Sequence, residues 1–200
     1  MTEQQDAATM DERSFTRKGA TTRDRIAAAA RTMLLDRGYD GLVLRELADS
    51  LDITLGNLQY YFRTREALAL HVLGAEGARD AALIRDQLQR RSPEEAFRLV
   101  VRDMAKRYRG DSGRLLSMIT ALAQHNAPFL DLYRVSYANF YPVFEDLLER
   151  IQPELDRDEV AARARIINGL IEGSAFQTDV GDIDVFLDRV VTEAEGIALA

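Results

Sequence analysis

The residues best equipped for chemistry lie together in "TLGNLQYYFRTR", Thr54 to Arg65. Asn57 and Gln59 carry amide forks that match the donor and acceptor on the major-groove edge of adenine. Tyr60 and Tyr61 carry phenolic hydroxyls able to donate to phosphate, and Arg63 and Arg65 add positive charge. Thr54 and the free amides at a helix start suit a phosphate oxygen, and Gly56 lets a sugar-phosphate wall come close. Leu58 and Phe62, one helical turn apart, must point inward to hold the segment on its own domain, which leaves Thr54, Asn57 and Tyr60 outward. The chemistry implied is the reading of double-stranded DNA. Some members of the set have a plainer alternative: Tyr61 as core, Arg63 as a solvated charge, and Arg45 on the preceding helix as a partner of Asp49 at i+4 instead of a phosphate contact.

Other chemistries lack their parts. The chain has no cysteine and two histidines, His71 and His125, far apart in sequence, so neither a thiolate nor a zinc-type cluster can be assembled. No glycine-rich phosphate loop occurs, and serines such as Ser117 and Ser174 have no evident base. The expectation is a protein that is not an enzyme and uses no cofactor or metal. Charge is distributed unevenly: residues 13–65 hold ten Arg/Lys against six Asp/Glu, whereas the whole chain carries −7. A basic front joined to an acidic remainder suits a protein that meets a polyanion with one part only. No apolar run is long enough to cross a bilayer and the first residues lack a signal-peptide core, so a cytoplasmic location and no membrane partner are expected.

Four prolines, twelve glycines and few β-branched runs imply an all-α chain. Residues 1–20 are polar and aperiodic and read as a flexible arm; residues 21–65 read as a DNA-binding domain and 66–200 as a larger helical domain. A first helix is expected to start near Thr22, its N-cap, bury Ile26, Ala30, Met33 and Leu34, and stop at Gly38. A second runs from Leu44 to Leu51. After a break at "LDIT", with Asp52 in a left-handed turn and Thr54 as cap, a third runs through Tyr61. Two short helices joined by so tight a turn make a helix-turn-helix. A long helix from Thr64 to about Arg91 contains Gly74 and Gly77, which mark either close packing or a soft point. Ser92 and Pro93 start the next helix, and others are expected over 93–109, 112–124, 127–151, 156–179 and 182–198.

Residues 21–73 resemble the TetR-like bacterial transcriptional regulators. The likeness rests on the spacing of a first helix ending in Gly-Tyr, then "LRELA", "DITLGNLQYYF" and "RTREAL". It implies a three-helix head that binds operator DNA and a divergent C-terminal domain that dimerises and often binds a small effector, with repression favoured over activation. The pattern is altered where DNA is met: Val43 stands where many members have a phosphate-binding threonine, Asp52 replaces a turn glycine, Gln59 a tyrosine, and Leu55 a lysine, which exchanges a cation for a group able to meet a thymine methyl. Arg65 keeps a usual positive charge. These changes imply a different operator more than a lost function; a helical dimer that scaffolds other proteins is the rival reading.

The larger domain has two features of its own. "ARIINGLIEGSAF" sets Gly169 and Gly173 four apart among Ile166 and Leu170, and Phe186, Val190, Ala194 and Ile197 form a stripe in the last helix; together they suit a four-helix homodimer interface, internal packing being the alternative. Tyr133, Tyr137 and Tyr141 recur at i+4 steps. Such a stripe is most simply core, but with Met104, Tyr108, Met118, His125 and Phe176 it could line a cavity for a hydrophobic or aromatic effector.

Overall fold

The structure, a computed structural model, describes residues 21–200; the arm expected over residues 1–20 lies outside the described residues. Among the described residues every regular element is a helix. The chain divides into two compact units at Val72/Leu73, a point inside the helix that begins at Arg65.

The first unit contains helix α1 over residues 21–37, α2 (Leu44–Ser50), α3 (Leu55–Tyr61) and the start of α4 (Arg65–Leu88). Helix α1 is already formed at residue 21, so Thr22 lies inside it and is not its cap. Ile26, Ala30 and Leu34 are sealed at helical spacing, with Met33 half-buried at the edge of that stripe. Gly38 ends the helix at φ 71°, a left-handed conformation that costs glycine little, and its N–H donates to the Leu34 carbonyl at 2.9 Å. In α2, Leu47 and Ala48 face the core while Leu44 and Leu51 are only half-buried. The turn to α3 is made by Asp52 at φ 56° and by Thr54, whose Oγ1 accepts from the Asn57 N–H at 3.1 Å. Thr64 caps α4 in the same way, accepting from the Ala67 N–H at 3.0 Å. Leu58 and Phe62 reach inward between these helices to meet a core that also holds Leu42, Leu68, Ala69 and Val72.

The second unit contains the rest of α4, then α5 (Pro93–Tyr108), α6 (Asp111–Ala123), α7 (Ala127–Ile151), α8 (Arg157–Ser174) and α9 (Ile183–Leu199). Caps fix the starts: Ser92 accepts from the Glu95 N–H at 3.3 Å, Asp156 from Glu159 at 2.8 Å and Asp182 from Asp184 at 2.9 Å. Helix α5 is central, packing on α6, α7, α8 and α9. Its Phe97 stacks on Phe144 of α7 at a centroid separation of 6.2 Å. Helix α8 stops at Ser174, five residues before the expected 179, with the Ser174 carbonyl accepting from the Arg109 guanidinium at 2.7 Å. Gly74 and Gly77 are close-packing glycines: a Cβ on Gly74 would lie 3.3 Å from Leu132 Cδ1, and one on Gly77 would lie 2.7 Å from Ser136 Oγ. They let α4 lie against α7, and nothing in α4 breaks at either position.

Candidate nucleic-acid interface and effector cavity

Helix α3 divides its residues cleanly between two environments. Leu58 is 0% exposed and Phe62 3%, while Tyr60 is 81% exposed and Thr54, Gly56, Asn57 and Gln59 are all open to solvent. Leu55 and Tyr61 are half-buried, Tyr61 meeting Tyr60 edge-on at 5.1 Å. Because Thr54 Oγ1 accepts from a backbone N–H, its hydroxyl proton remains available to an outside acceptor. The Asn57 side chain takes no part in that cap, since it is the backbone N–H that donates.

The cations around α3 fall into two groups. Arg63 and Arg45 are exposed, and Arg45 makes no ion pair with Asp49 among the described residues. Arg65 is held in place: its guanidinium donates to the Asp40 carbonyl at 3.4 Å, lies 3.6 Å from that residue's carboxylate and rests 4.3 Å over the Tyr39 ring. Arg37 pairs with Glu46 at 2.6 Å between α1 and α2. Behind α3, Phe62 lies between the Arg23 guanidinium at 5.4 Å and the His71 ring at 5.1 Å. Burial, with the charge of Arg23, lowers the His71 pKa from its ordinary value, against an opposing pull from Asp24.

An exposed polar face on a short helix, seated on an inward apolar face and preceded by a bracing helix across a tight turn, is a helix-turn-helix with its second helix presented outward. Residues 26–72 match the family model described as bacterial regulatory proteins, tetR family. Over that stretch the N-terminal unit is similar to the DNA-binding part of the TetR-family regulators. Over 54 residues the chain is 37% identical to the HTH-type transcriptional repressor KstR2 of Mycolicibacterium smegmatis, a match covering 27% of this chain and 26% of that one. The chain thus spans about a quarter of the length of that curated relative. The TetR-type fold extends further. Salmonella enterica GusR superposes with a TM-score of 0.74 at 17% identity, over 90% of this chain and 96% of that one. A TetR transcription regulator from Haloarcula marismortui superposes with 0.73 at 18% identity, over 90% and 97%. The expected all-α architecture is borne out, and no helix among the described residues is long and apolar enough to cross a membrane.

The second unit holds a half-open cavity of about 340 Å³ lined from α4, α5, α6, α7 and α8. Of the aromatic residues singled out from the sequence, Tyr108, Tyr133, Tyr137 and Phe176 line it. Met104 does not: it is 0% exposed in the core beneath α5. Met118, His125 and Tyr141 also lie off the wall, Tyr141 turning its ring toward the Arg165 guanidinium at 4.5 Å. The polar part of the wall went unrecognised in the sequence. Asp80 of α4 accepts from the Arg107 guanidinium and from the Tyr108 hydroxyl, and Glu172 of α8 accepts from the Tyr137 hydroxyl at 2.5 Å and from Asn168 Nδ2 at 3.0 Å. The available signal was positional: Glu76 and Asp80 interrupt an inward stripe with Leu73, Gly77 and Ile84. Burial, with the neighbouring Asp80 and Glu172 charges respectively, pushes the Tyr108 and Tyr137 hydroxyls far above their ordinary values, so both remain protonated donors.

The residues expected at a dimer interface separate in the same manner. Ile166 is 57% exposed on α8, Gly169 and Gly173 have open space where a Cβ would stand, and Leu170 is half-buried beside them. Phe186 and Ile197 are half-buried against their own unit. Val190 and Ala194 are sealed in it, at 4% and 0% exposure, because the inward stripe of α9 is Leu187, Val190, Ala194 and Ala198. Those two residues serve internal packing.

Proposed function

We propose that the chain is a cytoplasmic, sequence-specific DNA-binding repressor, acting as a homodimer on double-stranded operator DNA and released from it by a small effector with a hydrophobic or aromatic body. The observation that carries the DNA-reading part is the split of α3: Leu58 and Phe62 inside, with Thr54, Gly56, Asn57, Gln59 and Tyr60 presented together outside. In this reading residues 21–65 are the reading head and 66–200 the effector and dimerisation domain. Asn57 and Gln59 read bases, Leu55 meets a thymine methyl, and Thr54, Tyr60, Tyr61, Arg63, Arg65 and Arg45 fix the register on phosphates. The likeness to KstR2, a transcriptional repressor, favours repression.

Ile166, Gly169, Leu170 and Gly173 supply the apolar, small-residue face that a two-fold partner needs, and two heads about 34 Å apart span a palindrome. Helix α4 is continuous from Arg65 to Leu88 and contributes Gly77 and Asp80 to the cavity wall, so a ligand there acts on a helix that both units share. For an effector to lower operator affinity 100-fold, its affinities for the two forms must differ by about 2.7 kcal/mol.

Selection of bound fragments from a random DNA pool, followed by titration at two salt concentrations, tests the reading. An enriched palindromic sequence whose complex weakens steeply with salt is the expected result. A pool that yields no enriched sequence refutes it and leaves a helical scaffold as the better description.

A further inference from the structure

The cavity has an acidic carboxylate that makes no ion pair among the described residues. Glu172 is half-buried in its wall and accepts hydrogen bonds from two uncharged donors, the Tyr137 hydroxyl and Asn168. Among the described residues no arginine, lysine or histidine lines the cavity. The other carboxylate on the wall, Asp80, meets Arg107, but that guanidinium also pairs with Asp103 at 2.6 Å, so one positive charge is shared by two acids. The wall as a whole is therefore negative.

A carboxylate drawn partly out of water recovers its lost hydration best from an opposite charge. The surroundings favour an organic cation over a hydrated metal ion. The rings of Tyr133 and Tyr137 stand 4.6 Å apart beside Glu172's hydrogen-bond partner, with Phe176 also on the wall, and aromatic faces attract ammonium groups while their bodies accept apolar surface. Burial and the neighbouring Glu172 hold the Tyr137 hydroxyl protonated, so it adds no anionic ligand of its own. A carboxylate-bearing molecule would instead face repulsion from Glu172.

We propose that this cavity selects an organic ammonium ion, its charged head against Glu172 and its apolar body against Tyr133, Tyr137 and Phe176. The proposal names the chemical class of the effector and so rests on the effector reading above. A space of 340 Å³ sits at the small end of ligand sites and suits a molecule with one ring and a short tail.

The test uses the full chain and three probes of matched shape: 2-phenylethylammonium, 2-phenylethanol and 3-phenylpropionate, with binding followed by calorimetry. The ammonium binds about tenfold or more tighter than the alcohol, and the carboxylate binds weakest. Glu172→Gln removes most of that preference and leaves alcohol binding within about twofold, while Glu172→Asp retains it. Equal or tighter binding of the alcohol or the carboxylate, or no ammonium binding at about 10 mM, overturns the proposal. Should Glu172→Gln fail to fold, the order of the three probes on the unaltered chain still decides. Operator affinity is measured in parallel: preferential ammonium binding that leaves it unchanged refutes effector release and not the cavity's charge preference, whereas release driven equally by the alcohol does the reverse.

Discussion

The double substitution Asn57→Ala plus Tyr60→Ala separates recognition from folding. Both side chains are exposed, Tyr60 by 81%, and the cap at the start of α3 uses the Asn57 backbone N–H, which alanine retains. Tyr60 loses its edge contact with Tyr61, but alanine is the better helix former at both positions, so the net change in stability is within about 0.5 kcal/mol. The effect on an operator is larger. A bidentate amide on adenine contributes about 1–3 kcal/mol and a hydroxyl on a charged phosphate about 1.5–3 kcal/mol. Together these predict a loss of roughly two to four orders of magnitude in affinity per reading head. Fluorescence anisotropy with the selected operator gives the affinity, and circular dichroism with size-exclusion chromatography gives helicity and assembly. Retained operator affinity would show that the outward face of α3 is not the reading surface. Loss of helicity would show that these residues support the fold.

Three further perturbations test the surrounding structure. Leu58→Ala empties a fully buried site in the small first unit and is expected to cost about 2–5 kcal/mol by denaturant unfolding, abolishing operator binding through the fold. Gly77→Ala places a Cβ 2.7 Å from Ser136 Oγ and is expected to lower stability by about 1 kcal/mol net, after the helix-propensity gain; adding Ser136→Gly should recover the clash energy in a double-mutant cycle. His71 has a folded-state pKa below its unfolded value, so the unfolded chain binds more protons between the two and stability falls as pH drops through that window. His71→Gln should flatten that part of the profile when melting is compared between about pH 7.5 and pH 5.5; an unchanged profile would show that His71 does not contribute to it.

The first unit was legible because its signals are local. A left-handed Asp52, a capping Thr54 and a glycine at the end of α1 each act within four residues, and the order of apolar residues between them leaves one inward face. The second unit was legible in its helix starts, where Ser92, Asp156 and Asp182 cap, but less so where tertiary contacts decide. The helical pattern of α8 continues past Ser174 in the sequence, yet the chain turns there with its carbonyl on Arg109, a residue sixty-five positions earlier. In α9 the periodic stripe states that Val190 and Ala194 are covered, and periodicity is silent on whether their own chain or a partner does the covering.

The tyrosine stripe shows why the cavity was only half visible. Four residues advance a helix by slightly more than one turn, so each i+4 step drifts by about 40° and two steps by about 80°. Tyr133 and Tyr137 accordingly face the cavity, whereas Tyr141 has rotated off it toward Arg165. The carboxylates were missed for the opposite reason: Asp80 and Glu172 break apolar patterns, and a reading that searches for apolar continuity passes over them. Where a charge sits inside such a stripe it costs stability unless something meets it. Arg107 meets Asp80 from within the chain, and no arginine or lysine does so for Glu172 among the described ion pairs. The difference between these two acids is what the proposed charge preference of this aromatic-lined space rests on.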